Sequence, residues 1–183
     1  MLSLSYALVA YIRNGPGEFV ENLRNELHPE HSHLGAHVTV LPPRPLQGTE
    51  QQAIELLSEA CKPVAPFEIG LGDVENFLPR TPTVFIRVAH GAYRMRELHD
   101  LLNKWPLQHE ESLPYMPHLT IAKLGTDQRA REVYQTAQHR WRQFDGPRRV
   151  RIEHLTFVRG HDFTWNDVAP VSLDGHLLAE MPG

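Results

Sequence analysis

Two tripeptides in this chain place an imidazole and a hydroxyl two residues apart in what reads as a strand. One is His37-Val38-Thr39, within Ala36-His37-Val38-Thr39-Val40-Leu41; the other is His118-Leu119-Thr120, within Pro117-His118-Leu119-Thr120-Ile121-Ala122. Side chains alternate along a strand, so His37 and Thr39 point to one face while Val38 and Val40 point to the other. His118 and Thr120 oppose Leu119 and Ile121 in the same way. Each strand buries an aliphatic side and presents a proton-transfer group beside a hydrogen-bond donor. Two such strands around one groove suit attack on a phosphodiester. One neutral imidazole takes a proton from the attacking oxygen and one imidazolium protonates the leaving oxygen, while the two hydroxyls donate to the non-bridging oxygens where charge builds. This chemistry runs on side chains alone, so neither a metal nor a cofactor is expected.

With 12 histidines and about nine threonines, chance supplies roughly 0.6 His-x-Thr matches, and about 0.1 once apolar residues are required at the middle and following positions. A third match, Glu153-His154-Leu155-Thr156-Phe157, meets the same rule. It follows the basic run Arg148-Arg149-Val150-Arg151 and has no strand and helix before it, so His154 is expected on the surface or on a sheet face.

The elements that would position these residues follow from periodicity. Strands are expected at about Ser5–Ile12, Ala36–Leu41, Phe67–Leu71, Thr83–Ala89, His118–Leu124, Val150–Val158 and Pro170–Leu173. Helices are expected at Gly17–His28, Glu50–Cys61, Tyr93–Trp105 and Asp127–Phe144, each with apolar residues on one face. The pattern is α+β. The order strand, helix, strand occurs twice, and both times the closing strand carries His-x-Thr, which points to two units related by a pseudo-two-fold.

The chain has 183 residues, 41% hydrophobic and 22% charged, which suits one domain spanning residues 1–183. The proline clusters at Pro42–Pro45, Pro63–Pro66 and Pro79–Pro82 are too short to be linkers. A net charge of −4 with pI near 6.3 argues against coating long nucleic acid but leaves room for a small anionic ligand. No apolar run reaches the roughly 18 to 20 residues of a membrane span, and the opening residues read as a first strand, so no membrane association is expected. The single cysteine, Cys61, fits a reducing, cytoplasmic setting and reads as a small core residue on a helix.

On Ala36-His37-Val38-Thr39-Val40-Leu41 and Tyr115-Met116-Pro117-His118-Leu119-Thr120-Ile121-Ala122-Lys123, the chain resembles the two-histidine (2H) phosphoesterase superfamily, in its 2′-5′ RNA ligase-like group. The resemblance covers nearly the whole chain. It implies two pseudo-symmetric β-sheet lobes with outer helices and a central groove carrying the two His-x-Thr strands. It also implies catalysis by His37 and His118, phosphate binding by Thr39 and Thr120, and a nucleotide or short RNA end as substrate: a 2′,3′-cyclic phosphate, a 2′-5′ linkage or an ADP-ribose cyclic phosphate. The motifs do not choose among these. Phe85 and Arg87, alternating with Val84, Ile86 and Val88, are candidates to stack a base and hold a phosphate. Tyr115, Arg44 and Lys123 lie close to the motifs and are further groove candidates. A monomer is expected.

Three other readings compete. His28, His31, His33 and His37 have spacings that zinc could use, although no cysteine or well-spaced acid pair joins them. A binding module for nucleotides or RNA ends could keep the same groove without turnover. A nucleophilic enzyme built on Cys61 or a serine ranks last, for no Gly-x-Ser-x-Gly elbow is present.

Overall fold

A computed structural model of the chain describes residues 4–31, 34–161 and 164–175. The first unit runs β1 (Ser5–Tyr11), α1 (Pro16–Leu27), a single 3-10 turn (Pro29–His31), β2 (His37–Arg44) and α2 (Glu50–Cys61). After β3 (Phe67–Asn76) the second unit runs β4 (Thr83–His90), α3 (Ala92–Leu102), β5 (His118–Lys123) and α4 (Asp127–Gln143), and β6 (Arg149–Ile152), β7 (His154–His161) and β8 (Thr164–Ser172) close the chain.

Local signals explain the helix starts. At α2, Thr49 accepts the Gln52 amide N–H while its own N–H donates to the Gln52 side chain, a reciprocal cap. Thr126 caps α4 through the Arg129 amide. Helix α1 begins with Pro16 in its first turn, and at Gly17 a Cβ would lie 1.7 Å from the Ile12 carbonyl oxygen, so only glycine fits where the helix turns back on β1.

The strands form one antiparallel sheet in the order β6-β3-β4-β5-β2-β1-β7-β8. The two halves mirror one another: β5 answers β2, β4 answers β1, and the lobes implied by the sequence are the halves of this sheet. They join at β2 and β5 through a single bridging pair, Val38 opposite Leu119, both fully buried. Helix α1 of the first unit packs on β5 of the second, and α3 of the second packs on β2 of the first. Val38, Val40, Ile86, Leu119 and Ile121 lie in one core with Leu57, Met95 and Trp141 from the helices. Burial of such side chains stabilises by roughly 1.5–3 kcal/mol each. No helix among the described residues is long and apolar enough to cross a membrane.

Three expectations are corrected. The run Val150–Val158 is two strands, parted at Glu153: β6 pairs with β3 at one edge and β7 pairs with β1 in the other half. Periodicity along the chain carries no information on which neighbour a strand will find. The last strand begins at Thr164, well before Pro170, because it pairs along the whole length of β7. Helix α3 ends at Leu102, and Trp105 lies beyond it, exposed.

Candidate functional site

The Val38–Leu119 pair fixes the site. In an antiparallel register, continuing by one residue on each side sets His37 across from Thr120 and Thr39 across from His118. The local two-fold thus gathers two imidazoles and two hydroxyls on one sheet face, over the seam between the halves. All four residues line one cavity of about 250 Å³.

The histidines are held alike. His37 Nδ1 lies 2.7 Å from the Gly35 carbonyl oxygen and His118 Nδ1 lies 2.8 Å from that of Met116, each two residues upstream. A carbonyl only accepts, so Nδ1 carries the proton in each ring and Nε2 is left for chemistry. Aromatic side chains pack against both. Trp165 and Tyr11 stand 5.0 and 6.3 Å from the His37 ring; Phe85 and Phe77 stand 5.1 and 5.2 Å from the His118 ring.

This packing withdraws water, and burial pushes the His37 pKa down to about 4, opposed by the Gly35 hydrogen bond and helped by the charges of Arg24, Lys123 and His118. His118 is lowered as well, chiefly by burial, with Lys123 adding to it against the Met116 bond. Burial thus favours the neutral form of both rings, and an anion entering the cavity would raise both pKa values by offering a partner to the charged form.

Of the five groove candidates outside the motifs, Lys123 lines the cavity. Phe85 is buried behind His118, stacked on Phe77 at 4.1 Å. Tyr115 sits behind Thr39, its hydroxyl donating to the Thr39 carbonyl oxygen at 2.7 Å. Arg44 is not in the groove. It is 1% exposed and binds Asn103, the Leu107 carbonyl and Glu111 at 2.6, 3.0 and 3.3 Å, because β2 runs on through Pro42 and Pro43 and delivers Arg44 beneath the segment after α3. Arg87 is exposed, stands opposite His118 in the β4–β5 ladder and meets Glu75 at 3.7 Å, and it is not among the residues that line the cavity. His154 is exposed on β7, with Nδ1 3.3 Å from Ser172 Oγ.

His28 lines the cavity and meets Glu30 at 3.1 Å; His33 and the His31 side chain lie outside the described residues. Among the described residues no group of three His, Cys, Asp or Glu side chains is arranged to hold a metal ion. Cys61 is fully buried at the end of α2, its thiol pushed up to about 12 by burial, which does not suit a nucleophile.

Ala122 of β5 and Trp165, Arg24, Leu34, Pro42 and Pro43 complete the lining; the last five are not singled out by motif. A sequence signal existed for Arg24: it falls on the apolar stripe Val20, Leu23, Leu27 of α1, where a cation is out of place. Its guanidinium donates to the carbonyl oxygens of Leu34, Ile121 and Thr120 at 2.5, 2.7 and 2.8 Å.

The family model of the 2′-5′ RNA ligase superfamily matches residues 14–162. The chain belongs to this superfamily. A protein of Halalkalibacterium halodurans named as a phosphoesterase is 25% identical over 122 residues, 66% of this chain and 70% of that protein. One of Oceanobacillus iheyensis, also so named, is 28% identical over 102 residues, 55% and 59% of the two chains. Among solved structures, E. coli LigT with NADP+ bound superposes with a TM-score of 0.61 at 13% identity, covering 93% of this chain and 98% of LigT. A protein of Thermus thermophilus gives 0.62 at 15% identity, with coverage of 93% and 98%. The 2H phosphoesterase architecture is common to them.

Proposed function

We propose that this member of the 2′-5′ RNA ligase superfamily is a phosphodiesterase acting on a nucleotide or RNA-end phosphodiester, a 2′,3′-cyclic phosphate or a 2′-5′ linkage. The observation that carries the reading is the pair of Nδ1-anchored imidazoles, each beside a threonine hydroxyl, on one cavity. On a 2′,3′-cyclic phosphate, one neutral Nε2 takes a proton from water as the water oxygen bonds to phosphorus. The bond from phosphorus to the ribose oxygen breaks, and the other imidazolium gives that oxygen its proton. Thr39 and Thr120 donate to the non-bridging oxygens, and Lys123 supplies a compensating charge. Both proton transfers are met by side chains, so the reaction is expected to run without metal. With an RNA 5′-hydroxyl in place of water, the same path forms a 2′-5′ linkage as the bond from phosphorus to the 3′ oxygen breaks and that oxygen takes the proton; cleavage of a 2′-5′ linkage to the cyclic phosphate is its reverse.

Support for a nucleotide ligand comes from Trp165, a flat face beside His37, and from E. coli LigT, of like fold, crystallised with phosphate, 3′-AMP, ATP and NADP+. The two named relatives support phosphoester chemistry.

The test is hydrolysis of a panel of 2′,3′-cyclic nucleotides and 2′-5′-linked dinucleotides in EDTA, with His37→Ala and His118→Ala beside the wild type. Turnover in the wild type and loss in both variants is expected. Nucleotide binding without turnover in the wild type would replace this reading by a binding module.

A further inference from the structure

We propose that Arg24 and Tyr115 are positioning residues that lock the two His-x-Thr strands reciprocally, each holding the main-chain carbonyl of the threonine in the opposite unit. The inference rests on the phosphodiesterase reading for its kinetic consequences and on the geometry of the seam for its structure.

Elsewhere in the sheet, neighbouring strands share ladders of four or more residue pairs; β2 and β5 share one. The two imidazoles and hydroxyls straddle this weakest join, so their spacing needs other restraints. Side chains provide them across the seam. Arg24, on α1 of the first unit, donates Nη2 to the Thr120 carbonyl and Nε to the Ile121 carbonyl, both on β5, while Nη1 holds the Leu34 carbonyl three residues ahead of His37. One guanidinium therefore ties the approach to β2 directly to β5. Tyr115, leading into β5 of the second unit, donates its hydroxyl to the Thr39 carbonyl on β2.

Both latches are braced. The Tyr115 ring stacks on His99 at 4.4 Å with 9° between planes, and His99 Nε2 meets Glu111, which in turn meets Arg44. Arg24 is 5% exposed and makes no ion pair within 4 Å among the described residues. A buried guanidinium is costly unless its donors are met. Three carbonyls meet it here, and they are the ones whose placement sets Thr120 and His37. A threonine hydroxyl that bonds the transition state is sensitive to displacements of about 1 Å, which can cost about 100-fold in rate.

The experiment is a pair of double-variant cycles on a 2′,3′-cyclic nucleotide. Tyr115→Phe deletes one oxygen and keeps the stacked ring. It is expected to lower kcat about tenfold with little change in KM, and to cost nothing further in a Thr39→Val background, because it acts through Thr39. Arg24→Lys keeps the charge but cannot reach three carbonyls. It is expected to lower kcat about 100-fold, and to cost clearly less than that in a Thr120→Val background, the part that remains acting through the Leu34 carbonyl on His37. Effects that multiply in both double variants, or a wild-type kcat for Tyr115→Phe, overturn the proposal; thermal melts keep each comparison below the unfolding range. Should the wild type turn over none of the panel, the proposed function fails, and inorganic phosphate becomes the probe of the latches in the same variants. Weakened phosphate binding by Tyr115→Phe that vanishes in the Thr39→Val background supports them; unchanged binding overturns them.

Discussion

Replacing His37 by Gln should flatten the loss of stability that acid imposes on this protein. The ring packs between Trp165 and Tyr11, and burial brings its pKa to about 4 from about 6.5 in the unfolded chain. The folded state therefore binds this proton less readily than the unfolded state. Stability from His37 is intact above about pH 6.5, falls as pH drops from there towards 4, and changes no further once both states are protonated. A shift of this size corresponds to about 3 kcal/mol between the charged and neutral ring, an upper bound because the cavity mouth admits water to Nε2. His118 moves in the same direction, so the wild type alone would report their sum and the variant isolates His37. The assay is urea unfolding of wild type and His37→Gln at about pH 7.5, 6, 5 and 4. Between the extremes the wild type should lose up to about 3 kcal/mol more than the variant. Inorganic phosphate should narrow the gap by favouring the charged ring. Parallel stability curves for the two proteins would refute the idea that His37 is held neutral by burial.

The same two lowered pKa values set the pH–rate profile. In the mechanism proposed above one imidazole is neutral and one charged, so the optimum of kcat/KM should lie below about pH 6.5, while that of kcat, which reports the complex with the phosphodiester bound, should lie higher; coincident optima would contradict this. Trp165→Ala should raise KM for a nucleotide about tenfold through loss of a stacking face and leave inorganic phosphate affinity within about twofold, measured by calorimetry. Arg44→Met should lower unfolding free energy by about 3 kcal/mol because Glu111 loses its buried partner, whereas Arg87→Met, on the surface, should stay within about 0.5 kcal/mol in the same denaturation assay.

The motif residues were legible because alternation is a local property: His37 with Thr39, and His118 with Thr120, must share a face in any strand. The duplicated strand, helix, strand order was legible for the same reason. Distances across the sheet were not. Arg44 lies seven residues from His37 and reads as a groove residue, yet β2 carries it past the seam into the core beside Glu111. Arg87 shares a strand face with Phe85 and pairs with His118 in the ladder, but it is the Phe85 ring that packs on the imidazole, while the Arg87 side chain meets Glu75. Trp165 and Arg24 are distant in sequence from the second motif and lie outside the first; Trp165 reaches the cavity from the β7–β8 ladder and Arg24 through the packing of α1 on β5, and neither placement follows from local periodicity alone.

By itself, then, the sequence determined the chemistry available: two imidazoles and two hydroxyls on strands whose other face is aliphatic, in two like units. Tertiary structure decided how these were assembled. A single bridging pair aligned the strands antiparallel, so that each histidine faces the other unit's threonine, and burial between aromatic side chains lowered the pKa of both imidazoles. Register and desolvation depend on contacts between residues far apart along the chain, and those contacts exist only once the sheet has closed around its seam.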